Sequence, residues 1–186
     1  MKKIISLFKR DYEGTRLVYN EIVPGAEWVV NGEGVATEKI DGTSCLVRGK
    51  FYKRYDAKKG KTPPATFEPA QEEPDPITGH WPGWIPVGDG PEDRWHREAF
   101  EGWDGADWTY ELVGPKVQGN PYCLDQHRLW MHGAHILSNA PRTFDEIRTY
   151  LLNASWEGIV WWRDLDDVDC DKVKIKARDL GLPWPK

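Results

Sequence analysis

Short alternations of apolar and polar residues run through most of the chain, broken by glycine- and asparagine-containing turns. Between residues 15 and 56, Val29-Val30 runs into Asn31-Gly32, and Gly34 opens Val35-Ala36-Thr37-Glu38. Asp41-Gly42 precedes Ser44-Cys45-Leu46-Val47-Arg48, and Gly49-Lys50 leads into Phe51-Tyr52-Lys53-Arg54-Tyr55. Paired short runs around Asn-Gly and Asp-Gly turns predict antiparallel hairpins. Strands are also predicted at 108–113, at 129–137, at 157–162 and at Lys172-Val173-Lys174-Ile175-Lys176. Two stretches carry helical signals instead. Pro91-Glu92-Asp93 opens a helix to about Phe100, with proline and acids in its first turn. Thr143-Phe144-Asp145-Glu146 reads as a capping box, and Phe144, Ile147 and Leu151 then share one face of a helix over 144–152. Strands with helices between them predict an α+β fold.

Periodicity disappears between 57 and 91, where eight of the fourteen prolines lie, Pro63 to Pro91. This stretch is expected to be a loop insertion, of a length that is uncommon unless functional. Trp81 and Trp84 within it suit pinning of the loop better than base stacking, because Gly79-His80-Trp81-Pro82-Gly83-Trp84 is rigid turn chemistry.

Composition narrows the class. The chain has 186 residues, enough for one domain. Apolar residues make up 39% and charged residues 30%, which suits a folded chain and not a disordered one. The net charge of -5 excludes a whole-protein basic footprint for nucleic acid but leaves room for local patches. Two such patches are Lys53, Arg54, Lys58, Lys59, Lys61 and Lys2, Lys3, Lys9, Arg10. No apolar run is long enough for a membrane span, and the apolar stretch within the charged start is too short for a signal peptide. Cys45, Cys123 and Cys170 form no C-x-x-C pair, which fits a reducing, cytoplasmic compartment, with Cys45 read as a small buried residue.

Candidate chemistry centres on Thr37-Glu38-Lys39-Ile40-Asp41-Gly42-Thr43. A lysine at a strand end followed by an acid and a turn glycine is common by chance, so later residues must decide. Lys174 and Lys176 sit two apart on a strand and face the same way. Two adjacent ammonium groups repel unless an anion lies between them, and a nucleoside triphosphate is such an anion. A sheet face open to water accommodates paired lysines equally well. Cys123, His127, His132 and His135 match no standard zinc spacing. The Asp164–Asp171 run lacks the glycine and terminal glutamate of a calcium loop and reads as a solvated hairpin tip.

These pieces, in this order, resemble the covalent nucleotidyltransferase superfamily of ATP-dependent ligases and capping enzymes. Lys39-Ile40-Asp41-Gly42 resembles its first motif, Arg54 its next arginine, Glu111 its third motif, Glu157-Gly158 its fourth and Val173-Lys174-Ile175-Lys176 its fifth. A finer resemblance is to the vertebrate-type 5′–3′ RNA ligases and their microbial and viral relatives. It rests on residues 79–87, Glu111-Leu112-Val113-Gly114, Gly119-Asn120-Pro121-Tyr122, His132-Gly133-Ala134, 157–161 and 180–185.

The resemblance implies a nucleotidyltransferase (ATP-grasp-like) ligase core of antiparallel sheets with flanking helices, one adenylation domain over 1–186. Only ten residues follow Lys176, so no OB domain is expected, which favours RNA ligase over capping enzyme or DNA ligase. It also implies ATP as substrate, Mg²⁺ or Mn²⁺ as cofactor, RNA ends as partners and no obligate protein partner or membrane. Lys39 would take AMP from ATP, pass it to an RNA 5′-phosphate, and AMP would leave on attack by a 3′-hydroxyl. A lysine amine near pKa ~10.4 is a poor nucleophile at neutral pH, so Lys174, Lys176 and Arg54 would depress it and neutralise the α-phosphate. Glu157 and Asp41 are hard oxygen donors suited to Mg²⁺, with Glu157 favoured. Glu111 would accept a ribose hydroxyl, and Thr37 and Glu38 would border the adenine. A base-stacking partner is expected near 129–133, where Trp130 and His132 share a strand face, although Trp130 fits a core position as well. A capping-type guanylyltransferase, a non-catalytic nucleotide- or RNA-binding module and a protein-AMPylating enzyme stay open as alternatives.

Overall fold

The computed structural model describes residues 1–76 and 78–185; Ile77 and Lys186 lie outside the described residues. In chain order the strands and helices are β1 (Ile5–Ser6), β2 (Phe8–Arg10), β3 (Val18–Ile22), α1 (Glu27–Val30), β4 (Val35–Lys39) and β5 (Thr43–Val47). There follow β6 (Phe51–Ala57), β7 (Glu68–Pro69), β8 (Trp81–Pro86), α2 (Arg94–Phe100), β9 (Trp108–Val113) and β10 (Arg128–Met131). The last elements are α3 (Phe144–Asn153), β11 (Gly158–Trp162) and β12 (Lys172–Lys176), with 3₁₀ turns at Pro91–Asp93 and Ala177–Leu180. The fold is α+β, with mostly antiparallel sheets and few helices.

The chain divides into two compact units, Met1–Lys3 with Asp41–His132, and Ile4–Ile40 with Gly133–Lys186. The first holds a six-stranded sheet in the order β10-β9-β5-β6-β8-β7. Alternation along β5 sends Cys45 and Val47 to one face and Leu46 to the other. Cys45 and Val47 join Phe51, Tyr110 and Leu112 in a core that Trp95, Ala99 and Phe100 of α2 cover. Leu46 joins Tyr52 and Trp84 on the opposite face. Burial pushes the Cys45 thiol pKa up, so the thiol stays protonated.

The second unit holds a four-stranded sheet, β1-β12-β11-β4, and the β2-β3 pair. β11 is central, antiparallel to both β12 and β4. One face carries Ile159, Trp161, Val173 and Ile175, all essentially inaccessible. Ile147 and Leu151, the inward positions of α3, are equally buried, as their spacing predicts.

Four stretches differ from expectation. Val29-Val30 belongs to the helical turn α1, because Trp28 and Val29 are both buried there and Arg142 binds the carbonyls of Val29, Glu33 and Gly34. The expected loop at 57–91 contributes β7 and β8. Prolines are admitted in β8 because Pro82, Trp84 and Pro86 present their N–H side to the two-residue β7, while Val87 donates toward β6. Trp81 donates its indole N–H to the Gln71 carbonyl and Trp84 is buried, so both tryptophans hold the segment in place. The strand at 129–137 ends at Met131; residues 135–137 then run beside β4 instead, with Glu38 donating to the His135 carbonyl and Leu137 to that of Ala36. At α3, the Thr143 hydroxyl bonds the Glu146 carboxylate at 2.6 Å and not the backbone N–H that a capping box engages.

Candidate active site

The second unit assembles a lysine-rich sheet face from the register of three strands. β11 pairs Gly158 with Lys39 on one side and Lys176 on the other, and Val160 with Thr37 and Lys174 in the next row. Side chains in register across a sheet share a face, so Thr37, Lys39, Lys172, Lys174 and Lys176 all project from the same side. Gly158 leaves the row between Lys39 and Lys176 without a side chain.

Glu157, at the entry to β11, is buried and binds two of these lysines. The Lys39 ammonium donates to Glu157 Oε2 at 2.5 Å and to the Ile40 carbonyl at 3.2 Å. The Lys176 Nζ lies 3.4 Å from Glu157 Oε1. Among the described residues, no hydrogen bond or ion pair engages the Lys174 ammonium. Burial, with the Lys39 and Lys176 charges adding to it, lowers the Lys174 pKa to about 8.

The neighbouring polar groups are occupied internally. The Thr37 hydroxyl donates to the Val160 carbonyl and accepts the Trp162 indole N–H. Glu38, on the opposite face of β4, pairs with His135 at 3.0 Å. Lys172 lies over the Trp162 ring and donates to the carbonyls of Val168 and Cys170. The acidic 164–171 turn thus folds around its own cation, with Asp164 and Asp167 capping the N–H groups of Asp166 and Asp169.

The first unit holds the other sequence-selected residues. Glu111 on β9 lies between Ser44 of β5 and Trp130 of β10. Its Oε1 accepts the Gly42 N–H at 3.1 Å and its Oε2 is 2.7 Å from His132 Nε2. Gly42 is required by this approach: a Cβ there would stand 2.2 Å from the Leu112 carbonyl oxygen and 2.8 Å from Glu111 Cγ. The Asp41 N–H donates to the Tyr122 hydroxyl at 2.7 Å, and the Gln118 amide donates to the Gly42 carbonyl. Trp130 packs against Tyr122, with ring centres 4.8 Å apart. Arg54 is engaged by Asp56, the Met1 carbonyl and the Trp84 ring, and Lys53 by Asp93.

Sequence reasoning did not single out Tyr122 and Gln118 as partners of the Asp41-Gly42 turn. The available sequence signal is the Gly119-Asn120-Pro121-Tyr122 string; in the structure Gln118, Asn120 and Cys123 around it all adopt left-handed backbone conformations. Non-glycine residues persist there only when surrounding contacts over-determine them.

No family model matches the chain. The chain is similar to RNA ligase 1 of Danio rerio. The two are 27% identical over an alignment covering 95% of this chain and 77% of the zebrafish protein. RNA ligase 1 of Mus musculus is also 27% identical, over 81% of this chain and 68% of the mouse protein, and that of Rattus norvegicus is 26% identical over the same shares. Among the described residues, no helix is long and apolar enough to cross a membrane, and no group of three or more His, Cys, Asp or Glu is placed to hold a metal ion.

Proposed function

We propose that the protein is an ATP-dependent RNA ligase that joins 5′-phosphate and 3′-hydroxyl ends, with residues 1–186 acting as one cytoplasmic adenylation domain. One observation carries the reading: three lysines crowd one sheet face around the buried Glu157 carboxylate, which ion-pairs with Lys39 and Lys176 and, among the described residues, not with Lys174. Such a face accommodates a polyphosphate, whose developing charge it stabilises without reorganisation. The similarity to proteins named RNA ligase 1 supports RNA ends as the acceptors.

In the first step Lys39, its ammonium proton given up to solvent, attacks the α-phosphorus of ATP as the free amine. A P–N bond forms, the bond from the α-phosphorus to the α,β-bridging oxygen breaks, pyrophosphate leaves with that electron pair, and the proton shed by the nitrogen passes to solvent. In the second, a 5′-phosphate oxygen of RNA attacks the same phosphorus, and the P–N electrons return to Lys39, which regains a proton. In the third, a 3′-hydroxyl attacks the RNA 5′-phosphorus, losing its proton as the phosphodiester forms and AMP departs. Lys174 and Lys176 neutralise the α-phosphate, and the Glu157 carboxylate holds Lys39 in line until substrate arrives. Glu111 accepts a ribose hydroxyl. Glu157 and Asp41 are the candidate ligands for Mg²⁺ or Mn²⁺. Such an ion, if held there, would supply charge neutralisation for the departing pyrophosphate.

Incubation with α-labelled ATP and Mg²⁺ tests the reading. A protein-bound, acid-labile AMP adduct is expected, absent in Lys39→Ala, followed by sealing of nicked or single-stranded RNA. No adduct with any nucleotide at any pH rejects ligase chemistry and leaves a binding module. Preference for GTP would indicate a capping-type enzyme, and transfer of label to a second protein would indicate AMPylation.

A further inference from the structure

We infer that His132 is a positioning residue: it fixes the Glu111 carboxylate for recognition of the nucleotide's ribose and does not stack on the base. The inference rests on the proposed function for the identity of the ligand, and on the first unit alone for its geometry. A carboxylate only accepts, so the proton in the 2.7 Å contact sits on His132 Nε2 and is donated to Glu111 Oε2. The other ring nitrogen, Nδ1, is buried with no hydrogen-bond partner among the described residues. The ring therefore has one directed interaction, and it is with Glu111.

The backbone holds the ring where that interaction needs it. His132 donates its N–H to the Thr109 carbonyl at 3.1 Å, and its own carbonyl accepts the Trp108 indole N–H at 3.0 Å. Both ties run to β9, the strand that carries Glu111. Gly42 N–H fixes the second carboxylate oxygen from the other side. A carboxylate held at both oxygens keeps lone pairs for a further donor while losing the freedom to turn away from it, which is the arrangement that discriminates a hydroxyl from its absence. A stacking ring would instead present an open face, whereas the His132 side chain is only 14% exposed.

The test compares ATP with 2′-deoxy-ATP and 3′-deoxy-ATP in wild type, His132→Phe and His132→Gln. KM for adduct formation is measured, and Kd in a Lys39→Ala background where no adduct forms. His132→Phe keeps an aromatic ring but no donor; His132→Gln keeps a donor but no ring. In His132→Phe, KM and Kd for ATP are expected to rise about tenfold or more, as for loss of a hydrogen bond to a charged group. The preference for ATP over whichever deoxy nucleotide wild type rejects should shrink toward one, with the saturated adduct rate near that of wild type. His132→Gln should recover most of the preference. In Glu111→Ala, adding His132→Phe should change Kd less than twofold, because the two act as one unit. A His132→Phe protein with wild-type discrimination overturns the inference, as does full additivity with Glu111→Ala. Wild type that discriminates ribose in Kd but forms no adduct refutes the ligase reading and leaves this one standing. Wild type that binds none of the three nucleotides refutes both.

Discussion

Lys174→Met should stabilise the protein at neutral pH while removing its activity. In the fold the Lys174 ammonium is partly buried beside Lys39 and Lys176, and its pKa falls from 10.5 to about 8. About 2.5 pKa units at ~1.4 kcal/mol each amounts to roughly 3 kcal/mol of native-state cost for carrying that charge. Below pH 8 both folded and unfolded chains are protonated at this residue, so the whole cost is borne. Between pH 8 and 10.5 the unfolded chain binds a proton that the native chain has released, and wild-type stability rises relative to the variant. Above pH 10.5 the difference vanishes. Methionine keeps the length of the side chain without the charge, so the variant should gain up to about 3 kcal/mol at pH 7, or roughly 6 to 12 °C in Tm for a chain of this size. Urea denaturation of both proteins at pH 7 and pH 10 reads the effect directly. A destabilised variant at pH 7, or a difference that does not shrink by pH 10, refutes the assignment of a charge held against its surroundings.

Glu157→Gln leaves Lys39 and Lys176 facing a neutral amide; it should cost about 2 to 3 kcal/mol in denaturation, less than a fully buried pair because both lysines reach water, and should slow adduct formation about 100-fold or more. Arg142→Ala removes three hydrogen bonds, to the Val29 carbonyl in α1 and to those of Glu33 and Gly34 in the turn after it, and should cost about 3 kcal/mol, with adduct yield per folded molecule unchanged; Arg142→Lys should recover less than half, since an ammonium lacks the planar fork. Lys58, Lys59 and Lys61 are exposed, while Lys53 and Arg54 of the same basic run are held by Asp93 and Asp56. Changing the three exposed lysines to glutamine should leave the adduct intact and lower the salt dependence of single-stranded RNA binding by about two counterions, read from log K against log salt.

Where local pattern and tertiary demand agree, the chain was readable. The alternation over 172–176 gives β12 with its predicted ends, and Phe144, Ile147 and Leu151 mark α3. Residues 27–30 were not readable, because β-branched Val29-Val30 is held in a helical turn by Arg142, more than a hundred residues away. The face shared by Lys174 and Lys176 was legible from strand periodicity alone. The pairing of Glu157 with Lys39 was not, since it depends on the register of β11 against β4 across 118 residues. The His132-Gly133-Ala134 string marks His132 as a candidate only, and its pairing with Glu111 becomes visible only once β9 and β10 are paired.

The prolines of β8 have a consequence beyond local geometry. An exposed sheet edge is a template on which a strand from another molecule can add. β8 is covered on its outer side by the short β7, whose residues pair with Trp84 and Gly83, and by the Ala70 N–H, which binds the Pro82 carbonyl. On that side Pro82 and Pro86 offer no N–H, and of the three positions facing outward only Trp84 retains a donor. A foreign strand would find most of its carbonyls unanswered. The string that makes this stretch look irregular in sequence is thus also a guard against strand-by-strand aggregation, and replacing Pro82 and Pro86 would expose an edge that copies of the protein could share.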